Sequence, residues 1–236
     1  MARSIRFAPA DLPVHVWVRG NQQQDVFYCA ADRRRFLDLM VRHSREQKVE
    51  VLAYCLMNNH VHLALLPSNE DGLSWMMMRL NSEYAQFMQF RLDRRGHLWQ
   101  GRFKGCVMDD TYLWTVLRYI ELNPVRARIV SRADEWAWSS ARVHMGLEEW
   151  PQWLSREPFS SRFTPNEWCG QLKTEITSND RAAIWRATRL NRPLAGDANI
   201  KAWEMKFSVS PRTSSPGRPK RHWLLAQKFA SSAAGS

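Results

Sequence analysis

Two histidines separated by a single residue are the part of this sequence best suited to chemistry. His60 and His62 flank Val61 inside an apolar stretch that is typical of a buried β-strand. Side chains at positions i and i+2 of a strand project from the same face, so the two imidazoles are expected to lie side by side. Paired neutral imidazoles can hold a divalent cation, but they can also be half-buried polar groups that hydrogen-bond to the backbone. The pair by itself leaves both roles open.

A second pair of polar residues has the spacing of one helical face. Tyr119 and Asn123 are four residues apart, about one turn, whereas Glu121 is expected to point away from them. An Asn carbonyl oxygen is an acceptable ligand for Mg²⁺ or Mn²⁺, so Asn123 can complete a metal site with His60 and His62. Tyr119 beside such a metal is a candidate nucleophile for attack on a phosphodiester, and a core tyrosine is the alternative.

Polar and basic residues around this constellation are candidates for contacts with a polyanion. Arg118 and Arg126 can supply positive charge beside a scissile phosphate, and Trp99 can stack on an unpaired base. Basic residues on a strand before the last core helix would line the path of a nucleic acid strand, although such charges also protect an edge strand from aggregation. The candidate DNA-binding residues of this region are Trp99, Gln100, Arg102, Lys104, Arg118 and Arg126.

The charge balance favours a nucleic acid partner. The 236 residues include 34 Lys and Arg against 23 Asp and Glu, which gives a formal net charge of +11. A basic surface that serves solubility alone is the alternative. The four cysteines include no C-x-x-C pair, which disfavours a zinc-structural protein or a disulfide framework. The sequence contains no signal-like N-terminus and no apolar run of about 18 residues, so we expect a cytoplasmic, nucleoid-associated protein without a membrane span.

Hydrophobic periodicity predicts an α+β domain built around one antiparallel sheet. Alternating apolar residues predict strands, and apolar residues at helical spacing predict amphipathic helices between them. The predicted strands cover residues 12–19, 49–57, 60–66 and 97–107, and the predicted helices cover 32–47, 73–91 and 110–123. This order is that of a ferredoxin-like sandwich with one extra helix. Helices on one face of such a sheet would leave the other face for nucleic acid or catalysis.

The chain is expected to have three parts. A core domain would span residues 1–145, a mostly helical extension would follow at 146–205, and a basic tail at 206–236 is expected to be disordered. Residues 216–221 resemble an AT-hook, in which an Arg-Pro segment lies in the minor groove of duplex DNA. A plain solvated basic tail is the alternative. The candidate duplex-contacting residues of the tail are Arg218, Lys220 and Arg221.

Three motifs give the sequence a resemblance to a known family. They are H-V-x-x-R-G-N at 15–21, Y-C-L-M-x-N-H-V-H-L at 54–63 and R-Y-I-E-L-N-P-V-R-A at 118–127, with shorter matches at 32–37, 81–86, 96–104, 112–113 and 138–140. Over residues 3–145 the chain resembles the single-tyrosine HUH transposases, specifically the REP-associated tyrosine transposases of the IS200-like superfamily. Asn58 and Arg128 depart from residues common in that family, Arg128 replacing a frequent Gly, and neither departure removes a proposed site residue.

The resemblance implies a ferredoxin-like nuclease domain with an enzymatic function. It implies that His60 and His62 bind Mg²⁺ or Mn²⁺, that Asn123 is the third ligand, and that Tyr119 is the nucleophile of a covalent 5′-phosphotyrosine intermediate. The implied substrate is single-stranded DNA next to REP-like hairpins, and the implied process is DNA transposition. The alternative is a domesticated protein that binds structured nucleic acid without cleaving it. The oligomeric state, and whether Tyr119 acts in its own subunit, stay open.

Overall fold

The computed structural model of the protein describes residues 8–207, in which four strands form one antiparallel sheet. The strands lie in the order β2-β3-β1-β4 across the sheet. Their bounds are β1 Val14–Arg19, β2 Val49–Leu56, β3 His60–Pro67 and β4 Lys104–Val107. Helices follow β1 and β3, so the connectivity is that of the predicted ferredoxin-like α+β fold, which is confirmed.

Two long helices cover one face of the sheet. Helix α1 (Ala30–Glu46) and helix α2 (Gly72–Leu92) pack against each other and against β2. Alternate residues of β1 point towards them, because successive side chains of a strand project to opposite faces. Val14, Val16 and Val18 are accordingly buried in the same apolar cluster as the inner sides of both helices.

The opposite face of the sheet is also covered, which differs from the open face expected from the sequence. Helix α3 (Asp110–Glu121) packs on β2 and β3 and buries Val116, Leu117 and Ile120 in a second apolar cluster. The same cluster contains Cys55 and Cys106, which project from this face. Apolar residues on both sides of the central strands require cover on both faces, since an exposed apolar face of this size would be unstable in water.

Short helices continue the chain beyond α3, and the C-terminal extension is mostly helical as predicted. Its inner residues, including the fully buried Trp168, belong to the second apolar cluster. The extension is therefore packed on the sheet through the same cluster as α3. The remaining helices are α4 Asn123–Arg126, α5 Ala141–His144, α6 Phe159–Arg162, α7 Pro165–Lys173, α8 Ser178–Leu190 and α9 Asp197–Phe207.

The last predicted strand is much shorter than expected, and the helix that follows it ends earlier than expected; the other elements match their predicted bounds to within two residues. The strand predicted over 97–107 is limited to Lys104–Val107, preceded by an isolated bridge between Gly20 and Trp99. Gly96, which precedes this segment, has a φ of 106°, outside the extended region. The helix predicted over 110–123 ends at Glu121, and Asn123 begins α4 immediately before Pro124. Proline cannot donate a backbone hydrogen bond, which favours the break at this point.

No helix in residues 8–207 has the length and apolarity that a membrane span requires.

Candidate functional site

Strand β3 places the two histidines of the H-x-H motif side by side on the face that α3 covers. In the sheet register His62 lies opposite Trp17, and His60 lies opposite Arg19. The ring centroids of His60 and His62 are 5.1 Å apart in a T-shaped arrangement. His62 is buried and His60 is half-buried, so the His60 ring is the more accessible of the two. The expected juxtaposition of the two imidazoles is present.

Helix α3 brings Tyr119 to this pair. The helix begins at a cap in which the Asp109 carboxylate accepts a hydrogen bond from the Tyr112 backbone N–H at 3.0 Å. Near its other end, the ring of Tyr119 meets the ring of His62 edge-on, with centroids 5.5 Å apart and an interplanar angle of 83°. Tyr119 is only 5% exposed. Its position combines a packing contact with proximity to the proposed metal ligands.

Asn123 completes the constellation from the start of α4. Its side-chain amide nitrogen donates to the Tyr119 carbonyl oxygen at 3.3 Å, which fixes the side chain relative to α3. Its side chain is also a hydrogen-bond partner of His60 and acts to raise the pKa of that imidazole. The structure thus brings together all four residues named from the sequence, His60, His62, Tyr119 and Asn123, although Asn123 lies on a separate short helix.

The imidazoles of this site are held in their neutral form. Burial, together with the charges of Arg19 and Arg126, lowers the pKa of His60 to about 4. Burial also lowers the pKa of His62 well below its ordinary value, and neighbouring imidazoles add to the effect. A neutral imidazole keeps a lone pair, which is the form that binds metal ions. The electrostatic environment therefore suits the proposed ligands.

The donor set fits a hard divalent cation only if an amide oxygen is counted. Within residues 8–207 no group of three or more His, Cys, Asp or Glu side chains is arranged to hold a metal. The set proposed from the sequence instead has two imidazoles and the carbonyl oxygen of Asn123. His60 uses Nδ1 to contact the Asn59 side-chain oxygen at 2.7 Å, which leaves Nε2 for a metal. The amide oxygen suits Mg²⁺ or Mn²⁺, and the two imidazoles are donors that also suit later divalent ions such as Zn²⁺.

A third buried histidine lies against the site and was not proposed as a site residue from the sequence. The ring of His15, on β1, lies edge to edge with that of His62, with centroids 5.1 Å apart and planes within 7° of parallel. Its Nε2 lies 2.9 Å from Nδ1 of His62, and its Nδ1 lies 2.8 Å from Oγ1 of Thr188 on α8. Burial and the charge of Arg126 lower the pKa of His15 to about 3. Alternation along β1 already placed His15 opposite the valine face, which was the available signal.

The two arginines proposed to supply positive charge have different positions. The guanidinium carbon of Arg126 lies 4.1 Å from the centroid of the Tyr119 ring, and its Nη1 donates to the Tyr119 carbonyl oxygen at 3.3 Å. Arg118 instead donates to the carbonyl oxygens of Gln171 and Thr174, at 3.0 and 2.6 Å, around the end of α7. Arg126 is therefore placed to act at Tyr119, whereas Arg118 ties α3 to the extension.

The basic segment before and within β4 contains both exposed polar residues and a tryptophan that packs against the core. Gln100 and Arg102 are exposed, and Lys104 is half-buried opposite Trp17 in the sheet register. Trp99 packs its ring against Tyr84 and Phe36, with centroids 5.9 and 6.4 Å away, and its indole N–H donates to the Asn81 carbonyl oxygen. These contacts give Trp99 a packing role that competes with the base stacking expected from the sequence. The tail residues Arg218, Lys220 and Arg221 lie outside the described residues.

Comparison with known proteins identifies the family of the segment that carries this site. Residues 10–123 match the family model described as transposase IS200 like, and they include His60, His62, Tyr119 and Asn123. No curated protein matches the chain. A solved structure of a REP-associated tyrosine transposase bound to a REP hairpin is 16% identical, with a TM-score of 0.53, covering 66% of this chain and 92% of that one. A candidate transposase from Deinococcus radiodurans R1 is 19% identical, with a TM-score of 0.35, covering 51% and 96%. Over residues 10–123 the chain is therefore similar to the transposases of the IS200-like family.

Proposed function

We propose that the protein is a metal-dependent, tyrosine-linked endonuclease and strand transferase that acts on single-stranded DNA beside hairpins. The observation that carries the proposal is the convergence of Tyr119 with His62, at 5.5 Å between ring centroids, and of Asn123 with His60. A tyrosine, two neutral imidazoles and an asparagine side chain lie close together on one face of the sheet. Transposition is the process in which the family acts, and this site is where we place its chemistry.

Each of the four residues has one role in the proposed reaction. His60, His62 and Asn123 would hold Mg²⁺ or Mn²⁺, whose charge would withdraw electrons from the scissile phosphate. The phenolic oxygen of Tyr119 attacks phosphorus and loses its proton, so that an O–P bond forms to the protein. The bond from phosphorus to the 3′ oxygen breaks, and that oxygen gains a proton. The leaving strand then ends in a 3′ hydroxyl, and the protein is joined to a 5′ phosphate. This polarity follows from the resemblance to the tyrosine transposases.

The residues around Tyr119 favour this chemistry over a purely structural role for the tyrosine. The guanidinium of Arg126 lies over the Tyr119 ring and is exposed on its outer side, where it can contact a phosphate that approaches the phenol. Positive charge at that position stabilises both a phenolate and the phosphorane-like transition state. Exposed Gln100 and Arg102 extend the polar surface on which a DNA strand would lie.

The preference for single strands beside hairpins has two supports. One tyrosine beside one proposed metal site supplies no second nucleophile for a complementary strand, and a rigid duplex would hold its phosphates away from a buried phenol. The solved relative described above was bound to a REP hairpin, which is a substrate of the proposed class. A protein that binds structured DNA without cleaving it is the second candidate, favoured by the burial of Tyr119 beneath Arg126.

Cleavage of matched DNA substrates separates the two candidates. A labelled single strand that contains a hairpin and its flanks is incubated with the full chain and Mn²⁺, in parallel with the same sequence as a blunt duplex. We expect cleavage of the single strand, its loss on addition of EDTA, and little or no cleavage of the duplex. Hairpin binding without any cleavage would favour the second candidate, and efficient cleavage of the blunt duplex would contradict the proposal.

A further inference from the structure

A continuous chain of buried polar contacts connects His62 to the C-terminal extension. From His62 Nδ1 it passes to His15 Nε2 at 2.9 Å, and from His15 Nδ1 to Thr188 Oγ1 at 2.8 Å. The Thr188 hydroxyl also lies 3.3 Å from the thiol sulfur of Cys106. His15, His62 and Thr188 are each less than 5% exposed, so water does not compete for these bonds. Buried polar groups in proteins are nearly always hydrogen-bonded, and each member of this chain of contacts, here called the buried relay, has a partner.

We infer that His15 and Thr188 are positioning residues that set the tautomer and orientation of His62 for metal binding. This inference rests on the proposed function, because it takes His62 as a metal ligand. It assigns the extension a part in building the site, since Thr188 lies on α8.

The direction of each hydrogen bond in the buried relay depends on which imidazole nitrogens carry protons. A neutral imidazole carries one N–H, and only its unprotonated nitrogen can bind a metal. For His62 to offer Nε2, its proton must be on Nδ1, where it can donate to Nε2 of His15. His15 must then carry its own proton on Nδ1 and donate it to the Thr188 oxygen. The opposite arrangement, with Thr188 donating to His15, would place the His62 proton on Nε2 and block the ligand atom.

Helix α8 is fixed where Thr188 can play this part. Ile184 and Ala187 are buried in the apolar cluster beneath the sheet, and the side-chain oxygen of Asn191 accepts the Gly105 backbone N–H at 3.1 Å. Gly105 permits close strand approach here, because a Cβ at this position would lie 3.0 Å from the His15 carbonyl oxygen. Helix α8 is thus anchored to β4 and, through Thr188, to β1, which carries His15.

Substitutions that separate hydrogen bonding from packing test the inference. His15→Phe keeps an aromatic ring but removes the acceptor nitrogen, whereas His15→Gln keeps an acceptor. Thr188→Val keeps the volume without the hydroxyl, and Thr188→Ser keeps the hydroxyl without the methyl group.

The readout is Mn²⁺ affinity of the DNA-free full chain, measured by calorimetry, with thermal unfolding to verify that each variant is folded. We expect affinity to fall about 10- to 100-fold in His15→Phe and about tenfold in Thr188→Val, the range typical of lost partners of metal ligands. Thr188→Ser and His15→Gln should lie closer to the wild type.

A spectroscopic measurement adds a readout that a packing role would not move. Long-range ¹H–¹⁵N spectra of the imidazoles with Mg²⁺ should show His62 protonated at Nδ1, and Thr188→Val should reduce that form. Wild-type affinity in folded His15→Phe and Thr188→Val would overturn the inference, as would an Nε2–H tautomer of His62. If His15→Phe does not fold, Thr188→Val against Thr188→Ser decides alone. Failure of the proposed function would give a different result from failure of this inference alone. The wild type would then bind no Mn²⁺, or His62→Ala would bind Mn²⁺ as tightly as the wild type. Either result would also overturn the inference.

Discussion

His15, His60 and His62 share one property at the residue scale, which is burial that lowers the pKa of each imidazole. The pKa is about 3 for His15 and about 4 for His60, and it is well below 6.5 for His62. All three rings are therefore neutral near pH 7. Neutral rings can accept and donate along one relay and still present a lone pair to a cation.

The lowered pKa values predict acid sensitivity of the fold. Between pH 6.5 and about 4 the unfolded chain protonates these imidazoles while the folded chain does not, so the free energy of unfolding should fall as the pH decreases. Above pH 7 these groups should add no pH dependence. Each such group contributes a slope of about 1.4 kcal/mol per pH unit within its window. Urea unfolding in EDTA at several pH values should give a shallower slope for His60→Gln than for the wild type, and equal slopes would contradict the assignment.

The three proposed ligands should differ in their effect on metal binding. His60→Ala and His62→Ala should abolish Mn²⁺-dependent cleavage, because each removes an imidazole donor. Asn123→Ala should weaken cleavage less, since a neutral amide oxygen contributes less to holding the cation. Metal titrations of cleavage rate and of Mn²⁺ affinity measure the ranking. Unchanged Mn²⁺ affinity in His62→Ala would remove the metal site from this account.

Residue-level prediction from the sequence succeeded where spacing alone determines proximity. The i, i+2 rule placed His60 beside His62, and the four-residue spacing placed Asn123 near Tyr119. Spacing in the sequence could not predict the hydrogen-bond partners of long side chains. Arg118 binds carbonyl oxygens more than 50 residues away in the sequence, at the end of α7.

At the scale of elements, the turn after α4 shows how the chain accommodates one departure from the family pattern. Arg128 adopts a φ of 56°, the left-handed conformation that favours glycine. Its backbone N–H donates to the Val125 carbonyl oxygen at 2.9 Å, and that of Ile129 donates to Pro124 at 3.0 Å. These bonds close the helix end in the manner of a left-handed cap. The turn is kept, with the strain carried by a non-glycine residue.

Arg128→Gly should therefore stabilise the protein. The left-handed conformation costs a residue with a Cβ roughly 1–2 kcal/mol, and the greater flexibility of glycine in the unfolded chain offsets about 0.5–1 kcal/mol of the gain. The net expectation is a rise of about 0.5–1 kcal/mol in the free energy of unfolding, measured with urea. Arg128→Ala is the matched control, because it removes the same charge but keeps the Cβ. If the free energy of unfolding rises equally in Arg128→Gly and Arg128→Ala, the effect comes from the lost charge and not from backbone conformation.

Element types were more predictable than element ends. Strands were predicted to end at residue 57 and to begin again at residue 60, and β3 indeed begins at His60. The predicted last strand was too long by several residues, because Trp99 makes only an isolated bridge to Gly20 before the chain enters β4. Whether such a segment extends a sheet depends on its neighbours in space, and local periodicity does not contain that information.

At the scale of the whole molecule, the extension is joined to the core by a buried polar cluster as well as by apolar packing. The carboxylate of Glu121 is fully buried and accepts hydrogen bonds from Ser140 at 2.5 Å and from the Trp168 indole at 2.7 Å, and it contacts His144 at 2.5 Å. These partners come from two segments that follow α3: Ser140 and His144 from α5 and the residue before it, and Trp168 from α7. No sequence motif predicted this connection, since the partners share no spacing. The boundary predicted at residue 145 stays a prediction.

The basic tail should affect DNA affinity without affecting the chemistry. A chain that ends at residue 213 lacks Arg218, Lys220 and Arg221. Each lost phosphate contact on duplex DNA should reduce the slope of log affinity against log salt by about 0.9. Titrations of hairpin DNA with duplex flanks at several salt concentrations should show weaker binding with a shallower slope and an unchanged cut position. Neutral replacement of the three cations is the matched control, and an altered cut position would contradict this division of roles.

The measurement that tests the central claim most directly is identification of the residue that becomes covalently joined to DNA. A hairpin-bearing single strand is labelled at either its 3′ or its 5′ end and incubated with Mn²⁺, and denaturing gels are followed by mass spectrometry of the adduct peptide. We predict that only the 3′-labelled fragment migrates with the protein and that the modified peptide contains Tyr119.

Tyr119→Phe should abolish the adduct while changing DNA affinity by less than about twofold, since it removes one hydroxyl from a buried ring. Tyr112→Phe, altered at the other end of α3, should keep the adduct. An adduct that persists in Tyr119→Phe, is lost in Tyr112→Phe, or carries the 5′ label would contradict the account.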